Sequence, residues 1–232
     1  MTRRLILPAA LLIAVAVGYL RVVSRERAPV GTYQELVKAT QPPGPTRDGG
    51  SGLACAARFT APPPRPASDA SVPEVSLQDF ERRQAELDGW PLELLLADAG
   101  PGELDAAVLR RLLQKTVRTA GEDRLLLHFE LEGEVLNGGF HQFFFNSSGD
   151  RALETRAVVA ELGPKELLAI YDCALTAFPD GKPSPDRDAR NAQLAAWGGA
   201  QFEVFDALDR AVADLADLSA AREHYIRTQL TR

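Results

Sequence analysis

Apolar and polar positions divide the chain into three stretches. From Leu5 to Val23 almost every position is apolar, Arg21 is the one charge, and Arg3 and Arg4 precede the run within the short basic N-terminus, residues 1–4. As a helix these residues reach about 28 Å at ~1.5 Å each, close to a bilayer core of about 30 Å. Pro8 falls in the first turn, where a missing N–H costs little, and the stem of Arg21 can reach headgroups. The pattern predicts one transmembrane anchor over 5–23, or the apolar region of a signal peptide. Residues 24–75 then lose all periodicity. Prolines at 29, 42, 43, 45, 62, 63, 64, 66 and 73, with glycines at 31, 44, 49, 50 and 52, predict a disordered linker that cannot bury enough surface to fold alone. Cys55 within it reads as a solvated thiol without a role.

Helical periodicity starts at Ser76. Ser76 with Asp79 three residues on predicts a capped helix to about Asp88, followed by a Leu-rich segment, Trp90 to Ala99, that Gly100-Pro101-Gly102 ends. Glu103 to Thr119 places Leu104, Val108, Leu109, Leu112, Leu113 and Val117 on one face. Phe129-Glu130-Leu131-Glu132 alternates as a strand would, but no second strand follows through a hairpin turn, so Arg124 to Leu136 reads as helix. Further helices are predicted from Gly149 to Leu162 and, after Gly163-Pro164, from Lys165 to Phe178, where Cys173 reads as a buried small hydrophobe. Pro179 to Gln193 reads as loop. Gln201 to Leu218 aligns Phe202, Phe205, Leu208, Val212 and Leu215, with Glu203, Asp206, Asp214 and Asp217 opposite and Arg210 among them. A last helix runs from Ser219 through Tyr225 and Ile226. The fold class is all-α: a compact multi-helix domain over 76–232, preceded by a transmembrane helix and a Pro/Gly-rich linker.

Composition narrows the class further. At 45% hydrophobic and 25% charged, the chain is neither collagen-like nor wholly disordered. The two cysteines form no CxxC pair, so neither a zinc knuckle nor a redox motif is indicated. The net charge of −6 conceals an asymmetry: residues 1–73 hold 9 Lys/Arg against 4 Asp/Glu, whereas 74–232 hold 17 against 28. The body is therefore acidic, which argues against direct nucleic-acid binding and leaves a basic protein as partner. Arg21, Arg25, Arg27 and, further off, Lys38 against Arg3, Arg4 and the amine favour a cytoplasmic body by about one charge.

One segment is unlike the rest. Glu134, Asn137, Gly138, Gly139, Phe140, Gln142, Phe143, Phe144, Asn146, Ser147, Ser148 and Gly149 fall within sixteen consecutive positions. Asn137-Gly138-Gly139 is a tight link that allows positive φ, the phenylalanines suit one face of a short helix, and Asn146 to Gly149 close it. This segment resembles the DNA-mimic protein family, and a looser similarity extends through Phe202–Asp209 and Tyr225. The resemblance implies an all-helical, dimeric domain. It also implies an acidic surface that imitates duplex DNA and occupies a regulator's DNA-binding face, with the motif itself serving as architecture. The anchor departs from that small soluble form.

Catalytic patterns are absent from the sequence. No Gly-x-Ser-x-Gly elbow or phosphate loop occurs, and Ser147 and Ser148 follow a helix where a nucleophile elbow needs a strand. His128, His141 and His224 lack metal-ligand spacing. On a helix, Glu130 and Glu134 are neighbours and Glu132 is not. The sequence predicts no cofactor, no metal and no catalysis. It predicts a membrane-tethered, single-pass protein whose acidic domain binds another protein through a face that includes Glu203, Asp206, Asp214 and Asp217. The alternatives are an extracytoplasmic helical domain with a structural or envelope role and, more remotely, a hydrolase-like enzyme.

Overall fold

The computed structural model describes residues 51–59, 76–100, 102–195, 199–215 and 218–230; the expected anchor at 5–23 and most of the linker lie outside them. No helix among the described residues is long and apolar enough to cross a membrane. Their regular structure is helical throughout, with no strand.

Short caps set most boundaries. Helix α1 (Ser51–Ala56) continues into a 3-10 turn, Ala57–Phe59. Helix α2 (Leu77–Gly89) is capped by Ser76, whose hydroxyl accepts the Asp79 N–H at 3.1 Å. Helix α3 (Leu92–Asp98) leads through Gly102, at φ 77°, into α4 (Glu103–Gln114). Helix α5 (Ala120–Phe145) opens with a reciprocal capping box: Thr119 Oγ1 accepts from the Glu122 N–H, and Glu122 accepts from the Thr119 N–H. A 3-10 turn, Ser147–Arg151, precedes α6 (Ala152–Leu162), and Pro164 sits at the N-cap of α7 (Lys165–Leu175). Helices α8 (Arg187–Ala195), α9 (Gly199–Ala213) and α10 (Leu218–Gln229) complete the series.

Three expectations need correction. Helix α4 stops at Gln114, short of Thr119, and Val117, expected on its apolar face, is 83% exposed. The Arg118 guanidinium donates to the Leu112 carbonyl at 2.9 Å, and Thr119 already caps α5, so no residue remains to extend α4. The loop expected over 179–193 contains a 3-10 turn, Pro179–Gly181, and α8, whose first turn is held by Asp186 Oδ1 accepting from the Ala189 N–H at 2.8 Å. Its polar opening disguised a capped helix. Lastly, α1 lies inside the stretch expected to be wholly disordered.

The long α5 runs through the middle and packs against α4, α6, α8 and α9. Its first half shares an apolar cluster with α2, α3, α4 and α10, through Leu125, Leu126, Phe129, Leu87, Leu95, Leu104 and Ile226. Its second half shares another with α1, α7 and α9. In that second cluster Cys55 of α1 is bonded to Cys173 of α7, with their Cα atoms 5.8 Å apart, inside the ordinary disulfide range. This overturns the reading of Cys55 as a solvated thiol without a role. Ala56 is 4% exposed and Phe59 packs on the same cluster, so α1 is held by apolar burial as well as by the bond. The cross-link joins positions 118 residues apart. Reducing it, or changing Cys173 to Ala, should lower the unfolding free energy by roughly 2–5 kcal/mol, measured by denaturant titration with and without reductant.

Candidate functional site

The motif lies at a break in α5. Gly138 has φ −156° and ψ 20°, and Gly139 has φ 77° and ψ 179°, so two helical halves meet at an angle. Gly139 is required twice over: its φ lies in the left-handed region, and a Cβ there would stand 2.1 Å from Asp209 Oδ2. Asp209 approaches so closely because its Oδ1 accepts the Phe140 N–H at 2.8 Å. A carboxylate from α9 thus caps the second half of α5. Burial pushes the Asp209 carboxyl up to about 6, against the opposing pull of that N–H.

Across the break, Glu134 gathers the motif's polar side chains. Its carboxylate, in a residue only 6% exposed, accepts from Gln142 Nε2, from Asn146 Nδ2 at 2.8 Å and from Ser148 Oγ at 3.0 Å. Asn137 Nδ2 donates to Gln142 Oε1 at 3.0 Å, which steers the Gln142 amide towards Glu134. Phe140, Phe143 and Phe144 turn inward onto Tyr171, Phe178 and Phe205, with Phe144 and Phe178 centroids 4.6 Å apart. Gly149 makes room for a residue outside the motif. A Cβ there would lie 2.7 Å from Nε of the fully buried Arg190. Arg190 donates to the carbonyls of Phe144, Asn146 and Ser184 and to Asp150 Oδ1 at 2.6 Å, tying α8 to the end of α5. Ser147 is exposed, and His141 stacks on the half-exposed Phe145.

A second polar centre lies on the first half of α5. Arg222 of α10, 1% exposed, donates to Asp105 of α4 at 2.7 Å and to Glu132 of α5, approaches His128 Nδ1 at 3.2 Å and lies over the Phe129 ring. Burial raises the Asp105 carboxyl to about 6 even beside Arg222. It drives His128 down to about 3, with the Arg222 charge adding to the effect. With Nδ1 accepting from Arg222, Nε2 carries the imidazole proton and has no partner among the described residues. The gap beside it, lined by Leu131, Val135, Phe140, Leu167, Val212 and Leu218, has no room for water.

Neither centre is an open cleft. The Ser148 hydroxyl is committed to Glu134, and no cluster of metal-ligating side chains occurs among the described residues. On α9 and its C-terminal end Glu203, Asp206 and Asp214 are exposed, as is Arg210 between them; Asp217 lies outside the described residues. Much of the remaining acid is consumed by ion pairs such as Arg83–Glu103, Arg110–Asp88, Arg151–Glu154 and Arg156–Asp172. No motif in the sequence marks Arg190, Arg222 or Asp105 as site residues; His128 reads only as lacking metal-ligand spacing, and Asp209 only as the end of the looser family similarity. The signal available was a charged residue among apolar neighbours in a helix, as Arg222 is before Tyr225 and Ile226.

A family model described as DMP19-like protein matches residues 119–229. DMP19 is a DNA-mimic family. The match begins at the Thr119 cap of α5, ends with α10 and includes the whole motif, so the DMP19-like region holds both polar centres except Asp105. No curated protein and no solved structure was found to match the chain.

Two predictions follow from this geometry. Glu134→Ala strands three donors in the interior and should cost roughly 3–5 kcal/mol by chemical denaturation, since hydrogen bonds to a buried charge are individually strong. Asp209 has a raised folded pKa, so native protein holds the proton where unfolded chain has lost it, and its contribution to stability declines as pH rises from about 4 through about 6. Asp209→Asn should therefore gain stability relative to the parent over that interval and run parallel to it above, in melts recorded across pH.

Proposed function

We propose that residues 76–232 form a non-catalytic protein-binding domain, tethered to a membrane through residues 5–23, that offers carboxylates of α9 to a basic surface on another protein. The DMP19-like match over 119–229 carries this reading. The family is not a known enzyme family, and the motif's polar side chains are turned on one another and on the backbone. Glu203 and Asp206, three residues apart and exposed, have the spacing that lets an acidic helix face imitate a few phosphates of a duplex. Two copies side by side, as the family resemblance implies, would lengthen that row. A second reading, an extracytoplasmic domain with an envelope role, is favoured by the Cys55–Cys173 bond.

The test is co-purification of cross-linked partners with the parent chain and with Glu203→Lys/Asp206→Lys, at low and high salt. A basic partner captured at low salt should be weakened by roughly tenfold or more on charge reversal, because rim charges act through long-range attraction that salt screens. Capture that ignores both salt and charge reversal would remove the acidic face from the proposal.

A further inference from the structure

The chain contains two cysteines, and they are bonded to each other. The partners come from very different places. Cys173 is in the last turn of α7, 1% exposed, inside the aromatic cluster of Phe140, Phe144, Tyr171 and Phe205. Cys55 comes from the arm that leads away from the apolar run at 5–23, in a stretch otherwise dominated by proline and glycine. The bond therefore fixes the arm to the body at one point, where α1 lies across α7 and α9.

We infer that the body resides in an oxidising compartment, reached by export through the 5–23 segment, and that the disulfide is acquired there as the chain folds. Three observations converge on this. Disulfides persist where no thiol pool reduces them, and an apolar run behind two arginines is the usual means of reaching such a place. Burial sets the route: Cys173 is 1% exposed and Cys55 only half-buried, so an exchange oxidant engages Cys55 first and Cys173 displaces it to close the bond. Formation joins the two Sγ atoms and releases two protons and two electrons. The electrons pass to the disulfide of a thiol-exchange oxidant, which leaves as a dithiol. The inference stands apart from the identity of any partner, but it directs the search: a basic partner of α9 belongs to the envelope or the exterior, and a regulator sitting on DNA is out of reach.

The experiment uses the full-length chain expressed with its N-terminus intact. Membranes are quenched in acid, free thiols are alkylated without reductant, and the peptides are analysed by mass spectrometry. In parallel, alkaline phosphatase, active only after oxidation, is fused behind Arg232. A Cys55–Cys173 cross-linked peptide with an active fusion is the expected result. Alkylated thiols at both positions would overturn the staple, and an inactive fusion would overturn the compartment. Loss of Cys55 should also free the arm while the body stays folded. In Cys55→Ser with a parental helical spectrum, trypsin should cut after the exposed Arg58 roughly tenfold faster than in the parent, as local opening replaces a fixed contact. Unchanged cleavage would show that the bond does not hold the arm.

Discussion

A helix buried on every side while carrying polar side chains is the constraint that organises this fold. From Leu125 to Val135 each residue of α5 is buried, and His128, Glu130, Glu132 and Glu134 are among them. Carboxylates in such a place are costly unless hydrogen-bonded or paired, so Glu132 and Glu134 are met by donors from elsewhere, whereas burial keeps His128 neutral. Glu132 draws Arg222 from α10, and with it Asp105 from α4. Glu134 draws Gln142, Asn146 and Ser148 back from beyond the break. The apolar clusters supply bulk attraction, which is non-directional; the buried carboxylates dictate which helix goes where.

The break in α5 follows from the same requirement. An unbroken helix would carry Asn146 and Ser148 away from Glu134 by about 1.5 Å for every residue. The kink at Gly138 and Gly139 brings them within hydrogen-bond distance, and it leaves the Phe140 N–H without an intrahelical acceptor, the place Asp209 fills. The two glycines, the acid and the amides are parts of one device. A substitution at any of them disturbs the others, so their effects on stability should not add.

Much of this was legible in the sequence and some was not. Helical periodicity, the Ser76 start and the glycine link showed plainly because they are local: a cap needs a partner three residues away, and a tight turn needs glycine. The motif stood out by its composition. What stayed hidden was distant pairing. Arg190, Asp209 and Arg222 bond to groups 40 to 117 residues away, and no spacing rule reaches that far. The polar opening of α8 reads as loop, and the period of α4, carried past Gln114, places Val117 inside. The cysteines escaped for a simpler reason. A pair separated by 118 positions carries no spacing signal, and the proline-rich setting of Cys55 suggested solvent.

The Arg222 contact to Asp105 bears on what counts as a unit in this protein. The DMP19-like match opens at residue 119, yet Asp105, which lies before it, is in contact with the Arg222 guanidinium. A fragment trimmed to the match would keep the guanidinium and Glu132, lose half the counter-charge, and bare the leucines that α4 covers. Evolutionary boundary and folding boundary therefore differ here: the autonomous piece begins no later than α4, and the segment ahead of the match is a constituent of the domain.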